Sequence, residues 1–151
     1  MKDNYVILTE EYDEPSKVTL VTINTPLGAF SGVTSPDEID IQYPSRFHGN
    51  EIALGKALRT YASAAAAQLK REIKLLKSMI KQACDFAMDS GLLDADIDNT
   101  SFRIMNGTLK QKQKELKKWE SRIEGLTKNI TNRIAARDKI VANYIKKDKK
   151  N

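Results

Sequence analysis

The chain has 151 residues, 40% of them hydrophobic and 30% charged, with a formal net charge of +5. That length suits one domain, and the balance of apolar and charged residues suits an elongated molecule with much surface better than a globule. No apolar run approaches the roughly 18 residues of a membrane span, Met1-Lys2-Asp3-Asn4 opens no apolar region of signal-peptide type, and the single cysteine, Cys84, excludes an internal disulfide and a multi-cysteine zinc site. A cytoplasmic location with no membrane contact is the expectation.

Charge is polarised along the chain. Residues 1–50 carry three basic and eight acidic side chains, residues 51–107 eight and seven, and residues 108–151 fourteen and five. An acidic head and a basic tail suggest either an acidic partner for the tail, such as nucleic acid, or attraction between head and tail within an oligomer.

Three strands are expected first. Tyr5 to Thr9 is β-branched and apolar. Asp13-Glu14-Pro15-Ser16 is turn chemistry. Lys17 to Thr25 has the strongest strand character, with Val18, Thr19, Val21, Thr22 and Ile23 all suited to a pleated surface. Pro26-Leu27-Gly28 fits a tight turn, and Ala29 to Thr34 returns as a third strand, in which Gly32 signals a bulge or a close backbone approach. Such a small sheet needs a cover on one face. Ser35-Pro36-Asp37-Glu38 carries the serine cap, first-turn proline and capping-box glutamate of a helix start, and Tyr43-Pro44 stops that helix early. Residues 45–49 read as a connector.

Two long helices follow. The first is expected from Asn50, an N-cap residue, to Ser90-Gly91, where glycine accepts the left-handed cap position. Leu54, Leu58, Tyr61, Ala65, Leu69, Ile73, Leu76, Ile80, Ala83 and Ala87 form one stripe with a mean step of about 3.67 residues, so little left-handed supercoil is expected. Ala62 to Ala67, interrupted by Ser63, thins this helix and permits close approach of a second backbone. Leu92 to Thr100 is an acidic turn. The second helix starts either at Asn99-Thr100, tolerating Gly107 with a possible kink, or afresh at Thr108; the early start is preferred. Leu109, Leu116, Ile123 and Ile130 at one heptad position and Trp119 and Leu126 at the other make its seam, with Lys112 as the exception. Ile134, Val141 and Ile145 carry the stripe on after a phase slip, and Lys146 to Lys150 should fray.

Chemistry-bearing constellations are sparse. Asp94-x-Asp96-x-Asp98 resembles the start of a calcium loop, but Asn99 stands where glycine is needed and Met105 where a bidentate glutamate is needed, so a solvated turn is the better reading. His48 has no local partner for acid–base work. Cys84 has no neighbouring base and reads as a small packed residue beside the apolar stripe. Residues 28–32 lack the lysine and helix start of a phosphate loop. No metal, cofactor or catalytic residue is expected, and the chain does not read as an enzyme.

Lys110, Lys114, Lys117, Lys118, Arg122 and Lys128 line up as a cationic face of the second helix able to meet phosphates or an acidic partner. Trp119, the only aromatic between Phe102 and Tyr144, falls on the core stripe, which leaves little for base stacking. Arg133 and Arg137 occupy seam positions where charge is costly unless paired. They could meet Glu72, Asp85 or Asp89, mark a surface left for a partner, or snorkel past the seam.

Thr25-Pro26-Leu27-Gly28-Ala29-Phe30-Ser31-Gly32, an acidic segment, Ser45-Arg46-Phe47-His48-Gly49 and a long lysine-rich helix together resemble small accessory proteins carried by phages and mobile elements of Gram-positive bacteria. The resemblance spans about residues 20–90 and assigns no residue a role. It implies a non-enzymatic protein of the host-cell cytoplasm that binds a host or defence component, as inhibitors of CRISPR effectors and sponges of defence signals do.

The expected fold is therefore α+β: a small N-terminal antiparallel sheet on one end of a long antiparallel two-helix, coiled-coil-like hairpin. In that reading residues 1–49 form the cap and residues 50–147 the hairpin. Leu75, Met79 and Ile104 lie beside the seam and call for further burial, which predicts a homo-oligomer. Three functions follow: an interaction protein that occludes a protein partner; a nucleic-acid binder using the basic helix face; and an oligomeric sponge whose pocket lies near Arg46, His48, Arg59 and Tyr61.

Overall fold

The computed structural model describes residues 4–35, 46–89 and 99–150. The fold is α+β, with three strands, β1 (Val6–Asp13), β2 (Val18–Thr25) and β3 (Gly28–Thr34), followed by two long helices, α1 (Arg46–Asp89) and α2 (Asn99–Lys150). The expected short helix after Ser35 and the aspartates of the acidic turn lie outside the described residues. The chain divides into two compact units, residues 1–64 with 121–151, and residues 65–120.

In the first unit the strands form an antiparallel meander in the order β1-β2-β3. Both hairpin turns are built by side chains that replace backbone partners. Asp13 accepts hydrogen bonds from the Ser16 hydroxyl and the Ser16 backbone N–H, and these bonds hold its carboxyl below the usual carboxylate range. Lys17 takes the left-handed φ of 59° that reverses the chain. At the second turn the Thr25 hydroxyl accepts from the Leu27 N–H (3.2 Å) and donates to the Gly28 carbonyl (2.8 Å), while Gly28 supplies a φ of 115°.

Period-two alternation on β2 decides which face is covered. Thr19, Val21, Ile23 and Thr25 are buried, and their β3 neighbours on that face are Thr34, Gly32 and Phe30. Residues of α1 spaced by four meet this face in turn: Gly49 beside Thr19, Ala53 and Ala57 beside Gly32, and Tyr61 against Phe30 at 5.8 Å between ring centroids. The approach at Gly32 is so close that a Cβ there would stand 1.9 Å from the Ala53 carbonyl oxygen. Gly32 thus marks backbone approach, and the bulge lies in β1 instead, between Ile7 and Thr9. α1 begins at Arg46 rather than Asn50. Gly49 is a helix residue selected for contact with Thr19, not part of a connector. Another side of α1 packs on α2, with Gly55 against Ile130.

The described residues of the second unit are all helical. Lys112 with Glu72 and Lys70 with Glu120 show that its two segments run antiparallel. Ala65, Leu69, Ile73 and Ala87 of the expected stripe are buried. α2 has the early start and is helical throughout, passing Gly107 without interruption and reaching Lys150 where fraying was expected from Lys146. Among the described residues no helix is long and apolar enough to cross a membrane.

Candidate interaction site

In the first unit the feature that stands out is β1. Among the described residues it pairs only with β2 and forms one edge of the sheet. The opposite edge is attended to: Lys56 reaches from α1 and donates to the Val33 carbonyl at 3.1 Å. β1 has no such cover among the described residues. Val6 and Leu8 are 64% and 54% exposed, and Ile7 between them is exposed too. Three consecutive apolar side chains in water on an edge strand are costly and form a template for strand addition. Glu10, Glu11, Asp13 and Glu14 follow, all exposed, so the edge is apolar at one end and anionic at the other. Glu14 is the one that pairs with a cation, Lys17.

Tyr5, just before β1, also lines a groove of about 290 Å³ with Glu51, Leu54, Arg122, Asn129 and Arg133. Arg133 pairs with Glu51 across this groove at 3.7 Å. Of the readings open for Arg133, pairing across the helices is the one seen, but with Glu51 and not with Glu72, Asp85 or Asp89. In an antiparallel pair, position along one helix fixes the partner on the other, and Glu51 is the acid at the right level. Glu72 is taken by a different cation: it accepts from Lys112 at 2.8 Å and from Gln68 at 3.2 Å. Those bonds, the lysine's above all, hold the Glu72 carboxyl below its ordinary range. Lys112, the polar exception in the heptad seam, is thereby explained. Arg137 is buried at 9% exposure with Asp138 at 3.9 Å.

The predicted basic face divides. Lys110, Lys114, Lys117 and Lys118 are exposed on α2 in the second unit and have no ion-pair partner among the described residues. Arg122 is half-buried in the groove of the first unit, and Lys128 is exposed there. Of the predicted ligand pocket, Tyr61 is buried against Phe30 and serves the sheet core, Arg59 is half-buried, and the side chains of Arg46 and His48 lie outside those described. Cys84 is exposed, not packed as expected, because a two-helix layer leaves the flanks of its seam uncovered. Sequence reasoning missed Glu51, Lys56 and Asn129. Pairing each charged residue of one helix with the same level of an antiparallel neighbour would have found Glu51.

No family model, curated protein or solved structure matches the chain.

Proposed function

We propose that this chain is a non-enzymatic interaction protein that binds a partner protein and occludes its working surface. The observation that carries the reading is the uncovered edge of β1, where Val6, Ile7 and Leu8 stand exposed beside an anionic run. A strand added to this edge gains main-chain hydrogen bonds and buries the apolar triplet. Glu10 and Glu11 disfavour acidic strands and favour a basic partner. In this reading, which follows the resemblance to phage and mobile-element accessory proteins, the partner is a host or defence component such as a CRISPR effector, met in the host cytoplasm. Self-association belongs to the same reading, since the second unit leaves large apolar side chains in water.

The test is capture from a Gram-positive bacterial lysate with the wild-type chain, an edge variant (Ile7→Lys with Leu8→Lys) and a basic-face variant (Lys114, Lys117 and Lys118 to Glu). One protein held by the wild type and the basic-face variant but lost by the edge variant is the expected result. Equal retention by all three would sink the role of β1.

The four unpartnered lysines of α2 favour a second reading, binding to nucleic-acid phosphates. In that case duplex DNA is retained in a salt-sensitive way, and retention is lost in the basic-face variant alone. The sponge reading has less behind it, because Tyr61 is committed to the core.

A further inference from the structure

The second unit has a face that the hairpin itself cannot cover. Leu75, Met79 and Phe86 of α1 are all exposed, Leu75 at 64% and Phe86 at 68%. Their spacing of four and seven puts them on one line along the helix, with Gln82 completing it. At about 100° per residue this line lies roughly a third of a turn from the buried stripe of Leu69, Ile73 and Ala87. Counting likewise from the seam of α2, and allowing for its opposite run, Ile104 falls on the same side of the pair. The Glu72–Lys112 ion pair lies on that side too. Ile104 is 63% exposed. Two helices therefore contribute to one apolar face, and burial of that face needs a further layer.

Charge along its rim says what the layer is. The edge of the line carries Arg71 and Lys74 toward its N-terminal end, Lys81 near its middle, and Asp85 and Asp89 toward its C-terminal end, all five exposed; the two ends, not the middle, set the polarity. None of the four at the ends has an ion-pair partner among the described residues. A surface basic at one end and acidic at the other is complementary to itself when reversed. We infer that the second unit dimerises with a second copy of this chain, α1 against α1, antiparallel about a twofold axis near Ile80. That arrangement sets Arg71 opposite Asp89 and Lys74 opposite Asp85 of the second copy, twice over. It also brings Leu75 of each copy onto Phe86 of the other, with Met79 and Gln82 at the centre. The interface is isologous and closes on itself, which a C2 dimer requires. A parallel pairing would set like charges together and is disfavoured. This inference rests on the self-association part of the proposed function and is independent of the partner bound at β1.

The experiment is light-scattering mass at about 50 μM chain, a concentration at which a modest interface is populated. Wild type is compared with an acidic variant (Arg71→Glu with Lys74→Glu), a basic variant (Asp85→Lys with Asp89→Lys) and their equimolar mixture, with circular dichroism showing that each keeps its helix. Wild type should give twice the 17.0 kDa chain mass. Each variant alone should be monomeric, because every rim contact becomes repulsive. The mixture should recover the dimer, since all four contacts are then attractive. A wild-type monomer would overturn both the interface and the self-association reading. A wild-type dimer untouched by both charge reversals would overturn this interface and leave self-association standing. A mixture that stays monomeric while wild type dimerises would exclude the antiparallel register.

Discussion

The two units are made from the same two helices yet bury them differently. In the first unit α1 has a sheet on one side and α2 on another, and Ile23, Ile52, Ala53 and Ala57 are sealed from water. In the second unit the helices have only each other among the described residues, and Leu75, Met79, Phe86 and Ile104 stay exposed. The difference lies in the number of layers, not in sequence quality. An amphipathic helix with a wide apolar arc needs two neighbours, and the sheet supplies the second one only to the first unit.

The contrast is sharpest at Gly32. Gly32→Val places side-chain atoms where the Ala53 carbonyl and the Ala57 N–H already stand, and should cost at least about 3 kcal/mol, read from the urea midpoint. Ile52→Ala empties a sealed site and should cost about 2–3 kcal/mol. Leu75→Ala in the other unit, in the monomer, should stay within about 0.5 kcal/mol. Equal losses for the two would erase the distinction between units. Gly107 lies in open space within α2, so Gly107→Ala should raise stability by about 0.8 kcal/mol through helix propensity alone. A loss there would mean that the helix needs this glycine for bending.

The smallest effect is electrostatic. Because the folded Glu72 carboxyl is held below its ordinary range, its contribution is full above an unfolded value of about 4.3 and is lost as pH falls through the lower folded value. Its side chain is 37% exposed, so screening limits Glu72→Gln to about 0.5 kcal/mol at neutral pH. Chemical denaturation at neutral and acidic pH should show the two proteins converging as acid is added. A gap that widened in acid would contradict the Lys112 bond.

Much of the fold was legible in local pattern. The alternation through Thr19, Val21 and Ile23 marked β2, and the long stripe from Leu54 to Ala87 marked α1, because a buried face imposes its period on the residues that make it. The exposed positions Leu75, Met79 and Ile104 were legible as well, since they fall off the stripe. The pairings were harder. Arg133 finds Glu51 and Lys112 finds Glu72 only once the level of one helix against the other is known. The exposure of Cys84 depends on how many layers stand over it, a quantity that no residue spacing carries.

By itself the sequence determined the three strands and the two long helices, the face each must bury and the polarity of charge along the chain, because these follow from periodicity and side-chain chemistry. Tertiary structure alone decided that the bulge sits in β1, that of the two readings of Gly32 the close approach to the backbone of α1 holds, and that β1 is left as an uncovered edge. Those outcomes depend on which surfaces come within van der Waals reach, and residues distant in sequence settle that together.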